Sequence, residues 1–244
     1  MKPTLQSGFT LIEMAIVLMI VGLLLGGLLV PLSAQMDQRN NSDTQKALSE
    51  IKEAIIGFAL ANGRLPCPAT AGTATGITGA GVEKTTGIGS SLVCNNASGV
   101  VPWVTLGLNE TDAWGNRYTY RITPDFADGV GSSTYGGCTP SPLPTLATFG
   151  LCSLGNLNVL SAAGGTNIAA SVPAVIVSHG KNGAGAWTSQ GTQNPASSNP
   201  DEADNSNSGN TFVSHLPNPT FDDLVVWISP NILFNRMVAV GKLP

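Results

Sequence analysis

The stretch GFTLIEMAIVLMIVGLLLGGLLVPLSAQM, residues 8–36, decides how this chain is read. From Met14 to Met36 it runs 23 residues without a formal charge. At ~1.5 Å per helical residue that is enough to cross a bilayer core of ~30 Å. One carboxylate, Glu13, stands at the near end of the run. An ionisable group in an apolar span is costly, so it marks function and requires a partner. The preceding residues are equally unusual. Residues 1–8 carry one charge, Lys2, and end in Gly8. A secretory signal places its small-residue cleavage site after the apolar core, whereas here the small residue comes before it, and no A-x-A lies on the far side.

Working outward, the 244 residues suggest one or two domains. Charged residues make up only 11 % and Gly, Ser, Thr, Asn and Pro are abundant, a profile of strands and long loops. The net charge of −4 with no basic run gives nucleic acid binding no electrostatic footing. Cys67, Cys94, Cys138 and Cys152 form no C-x-x-C pair, and His179 and His215 are the only histidines, so no zinc-type spacing is present. Beyond a membrane span the chain enters an oxidising compartment, where two disulfides are the economical expectation. Three connectivities are open, and sequence proximity favours Cys67–Cys94 with Cys138–Cys152, each stabilising by ~2–4 kcal/mol.

Apolar residues at Ala47, Leu48, Ile51, Ala54, Ile55, Phe58 and Ala59 trace one helix face. Asn62-Gly63 supplies a stop, followed by Pro66. A helix is therefore predicted from Phe9 to Ala61, with a bend or local melting at Pro31 and a second weak spot over Asp37–Asp43. Strands are predicted over Arg117–Ile122, where Tyr118, Tyr120 and Ile122 share a face, and over Val172–Ser178 and Leu224–Ser229. Residues 69–81, 131–145 and 180–211 read as loops. Ser229-Pro230 reads as an N-cap and first-turn proline opening a helix to about Val240.

The N-terminal residues resemble type IV pilins and the pseudopilins of type II secretion: a short leader ending in Gly8, then Phe9-Thr10-Leu11-Ile12-Glu13, then an apolar helix with Gly22 and a proline, Pro31, near its outer end. The resemblance implies a prepilin peptidase that cuts between Gly8 and Phe9 and methylates the new Phe9 amine. It also implies that Glu13 pairs with the N-terminal ammonium of a neighbouring subunit; buried charges of opposite sign cost far less together than apart. The organisation implied is a leader at 1–8, a transmembrane and amphipathic helix at 9–62, and a pilin-like β-rich domain at 63–244. The fold expected is α+β, a long N-terminal helix, transmembrane in its first half, packed on an antiparallel β-sheet domain with long loops. Its place would be the bacterial inner membrane, single-pass, with the N-terminus cytoplasmic and the C-terminal domain periplasmic, or the cell surface once assembled into a pilus. Partners implied are the peptidase, the inner membrane and other pilin or pseudopilin subunits through the N-terminal helix.

A second resemblance is local. Asp112-Ala113-Trp114-Gly115-Asn116-Arg117-Tyr118 is similar to the D-x-W-G-x-x-Y element of major pseudopilins, with Ala113 in place of the usual proline. In those proteins a following Gly/Asp-rich loop often binds calcium. Here the Trp114 turn is expected to serve structure.

Material for catalysis is thin, and no catalytic residue is assigned. Ser178-His179-Gly180 lacks the upstream glycine of a nucleophile elbow, since Ile176 stands there, and Gly180-Lys181-Asn182 lacks the Ser or Thr of a P-loop. His179 and His215 would be the available bases, with Asp222 or Asp223. No firm cofactor is indicated. Calcium is the cation considered, at Asp201, Glu202 and Asp204 with Asp222 or Asp223 contributing. Asp204-x-Ser206-x-Ser208-Gly209 places oxygens at alternate positions but has His215 where an EF-hand needs glutamate. The function expected is a structural, pilin-like subunit. Residues 9–244 with their long loops are large for a repeating unit, which favours a minor role. The rival is a membrane-anchored periplasmic binding domain or enzyme that uses this N-terminus only as an anchor.

Overall fold

A computed structural model describes residues 8–131 and 135–244, apart from the side chains of 25–33. The expected leader therefore lies outside the described residues except for Gly8, as do the side chains over much of the apolar run. The chain forms two compact units, Met1–Ser42 and Asp43–Pro244.

Helix α1 (Leu11–Asn62) belongs to both. It passes Pro31 and the polar 37–43 stretch without interruption, so the local melting expected there does not occur. Its start is chemically defined. The Thr10 carbonyl accepts the first helical bond from Met14 N–H at 3.2 Å, which makes Thr10 the N-cap. In the first unit the described side chains from Leu11 to Leu24 are exposed. Among the described residues, no helix is long and apolar enough to cross a membrane. The helix ends where Gly63 turns left-handed at φ 73° and donates its N–H to Ala59 O at 2.8 Å. A Cβ on Gly63 would strike the Leu146 carbonyl, so glycine is needed both for the turn and for the close approach.

The second unit contains, in chain order, β1 (Thr85–Thr86), β2 (Val93–Cys94), β3 (Ser98–Val100), α2 (Trp103–Leu106), β4 (Asn116–Arg117), β5 (Thr119–Ile122), β6 (Leu157–Leu160), β7 (Asn167–Val172), β8 (Ala174–Ser178), β9 (Trp187–Thr188), α3 (Pro200–Ser206), β10 (Thr211–Val213), β11 (Leu224–Ile228) and α4 (Pro230–Ala239). The main sheet has the order β11-β8-β5-β3 and is antiparallel throughout. A second sheet, β10-β6-β7, contains one parallel pair, β10 with β6, which departs from a purely antiparallel expectation.

Strand β8 explains the layering. All five of its residues are buried, the mark of a strand covered on both faces. Ala174 and Ile176 face the core formed with Leu48, Ile51, Ile55, Ile56 and Ala59 of α1. Val175 and Val177 face the other way, into a core with Leu157, Val159, Val172 and Phe212 of the second sheet. Helix, sheet and sheet thus stack around one β-branched strand. The predicted Val172–Ser178 strand divides at Pro173, which cannot donate a ladder hydrogen bond, so β7 and β8 belong to different sheets.

Helix α4 opens at Ser229-Pro230 as the sequence suggests, although the Ser229 side chain makes no capping hydrogen bond. It buries Leu233 and Met237 in the helix–sheet core. Phe234 stands beside Phe126 and Phe149, whose ring centroids are 4.8 Å apart. Arg236 pairs with Glu53 of α1. Two disulfides, Cys67–Cys94 and Cys138–Cys152, tie the long connections. The 180–211 segment, expected to be loop, contains β9 and α3.

Candidate functional site

Three groups carry the chemistry singled out by the sequence. The first is at the helix start. Glu13 carboxylate accepts the Thr10 N–H at 2.8 Å and the Thr10 hydroxyl at 2.9 Å, while Glu13 N–H donates to Thr10 Oγ1 at 3.3 Å. This is a reciprocal capping box, T-x-x-E, which satisfies two donors that a helix N-terminus otherwise leaves open. Gly8 and Phe9 precede it in non-helical, exposed backbone.

The second is the Trp114 turn. Asp112 Oδ1 accepts N–H bonds from Trp114 at 3.0 Å and Asn116 at 2.9 Å, and Oδ2 accepts the Ser178 hydroxyl at 2.6 Å. Burial raises the Asp112 pKa, and these hydrogen bonds oppose the shift. With its oxygens occupied, Asp112 holds the turn against the end of β8. The Ser178 hydroxyl is likewise engaged, and the residue is fully buried. Next along the chain, the fully buried Arg117 donates to the carbonyls of Ala71, Thr73 and Ser189 and pairs with Glu110 at 2.7 Å. Its guanidinium lies 4.7 Å from the Trp103 ring centroid.

The third group is where the acidic residues gather. Helix α3 turns Glu202 inward, while Asp201 and Asp204, three residues apart, lie on another side of the helix; residues two apart, such as Glu202 and Asp204, point nearly opposite ways. The alternate-oxygen pattern Asp204-x-Ser206-x-Ser208 therefore cannot close around one ion. Asp201 accepts Ala163 N–H at 2.7 Å and faces His215 Nε2 at 3.1 Å. Asp204 accepts Asn207 Nδ2 at 3.4 Å. Glu202, by contrast, points inward and meets Asp222 and Asp223, with one ligand atom from each within 4.8 Å of the others.

All three carboxylates are held by hydrogen bonds. Glu202 accepts Asn182 Nδ2 at 2.9 Å and Asp222 N–H at 3.2 Å. Asp222 Oδ2 accepts Asn182 N–H, and Asp223 Oδ2 accepts Asn205 Nδ2 at 2.9 Å. The remaining Asp222 Oδ1 and Asp223 Oδ1 are buried without a hydrogen-bond partner. Burial pushes the Asp223 pKa up to about 8, with the Glu202 and Asp222 charges adding to the rise against the Asn205 hydrogen bond.

His179, the residue following β8, faces this cluster. It is fully buried, its Nε2 lies 2.8 Å from Thr119 Oγ1, and its unpartnered Nδ1 lies 3.8 Å from Asp223 Oδ1. Burial holds its pKa down at about 4, so the ring is neutral near pH 7. The two histidine–aspartate pairings are thus separate: His179 with Asp223, and His215 with Asp201. Sequence spacing could not assemble this group, because its members come from β8, α3 and the approach to β11. Of the five residues considered for calcium, Glu202, Asp222 and Asp223 come together, whereas Asp201 and Asp204 do not join them, and an imidazole nitrogen stands beside Asp223.

Residues 4–29 match the family model of the prokaryotic N-terminal methylation motif. No curated protein and no solved structure matches the chain. Gly8, Phe9, Thr10 and Glu13 all fall inside the matched segment, and this N-terminus carries the signature of type IV pilins and pseudopilins.

Proposed function

We propose that this chain is a pilin-like structural subunit, a minor component of a type IV pilus or a type II secretion pseudopilus, assembled through its N-terminal helix. The observation that carries the reading is the methylation motif at residues 4–29, with Glu13 at the head of an apolar helix. A prepilin peptidase cuts after Gly8, and the 9–62 helix anchors the subunit in the inner membrane until it enters a filament. The exposure of the apolar side chains at this end of the chain supports this: Phe9, just before the helix, is 84 % and Leu11, within it, 92 % exposed in the single chain. A helix apolar all round needs lipid or neighbouring helices to cover it. The long-looped 63–244 domain, periplasmic or on the cell surface, is large for a repeating unit, which favours the minor role.

Mass spectrometry of the membrane protein tests the processing step. The expected product begins at N-methyl-Phe9, and Gly8→Val leaves the leader in place. A native chain still carrying residues 1–8 overturns the proposal. A processed chain absent from sheared filament fractions would instead favour the anchored-domain alternative.

A further inference from the structure

We propose that His179, Glu202, Asp222 and Asp223 form a closed, structural site for a divalent transition-metal ion of the zinc class. Three of the four groups keep one buried polar atom without a hydrogen-bond partner. Asp222 Oδ1, Asp223 Oδ1 and His179 Nδ1 are all buried without a hydrogen-bond partner. Buried orphans are rare, because each costs the desolvation of a polar atom with nothing in return; here two belong to the carboxylate trio and the third stands beside Asp223. The 3.8 Å between His179 Nδ1 and Asp223 Oδ1 is too long for a hydrogen bond. Two ligands ~2.1 Å from one tetrahedral ion lie about 3.4 Å apart, so a small inward movement would place both on a common metal.

The groups behind the ligands are arranged to the same end. A neutral His179 that donates Nε2–H to Thr119 Oγ1 has its Nδ1 lone pair bare and directed at the carboxylates. Metal-bound histidines are oriented by such an outer hydrogen bond on the second nitrogen. Asn182 fixes Glu202 and Asp222, and Asn205 fixes Asp223, while one oxygen each of Asp222 and Asp223 stays without a partner. At Gly180 a Cβ would collide with the Asp222 carbonyl and carboxylate, so glycine lets that carboxylate sit against the chain that carries His179.

The donor set selects the ion. An imidazole nitrogen with carboxylate oxygens suits zinc or a neighbouring first-row metal, whereas calcium and magnesium take oxygen alone. His179, Glu202 and Asp223 are buried and Asp222 is half-buried, so most of the ion's surroundings would be protein and its role that of a staple. It would join the end of β8, the buried face of α3 and the approach to β11, three segments that the two disulfides leave untied. This inference is independent of the filament proposal.

The test uses the full chain in detergent, stripped with chelator and dialysed against zinc, manganese or calcium. The expected result is one zinc per chain, a higher Tm with zinc than with chelator, and at least about tenfold weaker zinc binding in His179→Gln and Glu202→Gln. Calcium at millimolar concentration should neither displace the zinc nor reproduce the shift in Tm. Imidazole nitrogen NMR of the native chain supplies a readout that does not depend on variants folding. Zinc should move the His179 Nδ1 resonance and leave His215 in place. An unmoved His179 resonance, zinc bound equally well by a folded His179→Gln chain, or displacement of zinc by calcium would overturn the proposal.

Discussion

The Asp112 carboxylate and the Ser178 hydroxyl meet at 2.6 Å, joining the Trp114 turn to the last residue of β8. One carboxylate thereby fixes a turn through two backbone N–H groups and anchors the strand end that leads into His179. Asp112→Ala would leave those N–H groups and the buried hydroxyl without acceptors, a loss of roughly 3 kcal/mol that a thermal melt of the full chain should detect. Ser178→Ala should cost less, about 2 kcal/mol. The pH dependence has a defined sign. Burial raises the folded pKa of Asp112, so its linkage contribution is present below the unfolded value and lost as pH rises through the folded one. The Tm of the native chain should therefore gain on that of Asp112→Asn as pH is lowered from neutral towards 4, and a constant difference would contradict the shift.

At the N-terminus the structure separates two duties of one side chain. Glu13 caps its own helix through Thr10, and the pilin resemblance asks it to carry a charge. Glutamine retains the capping box and removes the charge. If charge pairing drives assembly, Glu13→Gln and Glu13→Ala should both be cleaved normally and both be depleted in sheared filaments. Depletion of the alanine variant alone would assign the effect to the cap.

Arg117 is a strong test of the fold. Its planar guanidinium serves three carbonyls, Glu110 and the Trp103 ring at once, an arrangement that a lysine ammonium cannot reproduce. Arg117→Lys should lower stability by about 2–4 kcal/mol despite keeping the charge, as measured by denaturant or thermal unfolding. A Tm within error of the native value would show that the 71–75 and 189 segments do not depend on it.

The disulfides should differ in weight. Cys67–Cys94 spans 27 residues and Cys138–Cys152 spans 14. Loop-closure entropy gives the longer loop an advantage of about 0.5 kcal/mol, on a base of ~3 kcal/mol for the shorter. Cys67 is also fully buried, so the paired replacement Cys67→Ala with Cys94→Ala should lower Tm more than Cys138→Ala with Cys152→Ala.

The sequence by itself determined the elements whose cause is local. The apolar run after Glu13, the Ala47–Ala59 helix stripe, the Asn62-Gly63 stop, the β-branched 172–178 run (though not its division at Pro173) and the Ser229-Pro230 helix start were each legible because periodicity, capping and backbone freedom act over a few residues. Only the tertiary structure decided which face of β8 meets which sheet, the parallel pairing of β10 with β6, and the burial of Arg117, since each depends on chain far away in sequence. The acidic cluster shows the same division. Composition drew attention to Asp201, Glu202 and Asp204 because they are adjacent, yet α3 turns Asp201 and Asp204 away from Glu202. Folding then brings Glu202 to Asp222, Asp223 and His179. Helical geometry scatters neighbours around its axis, and only packing gathers side chains from three separate segments at one point.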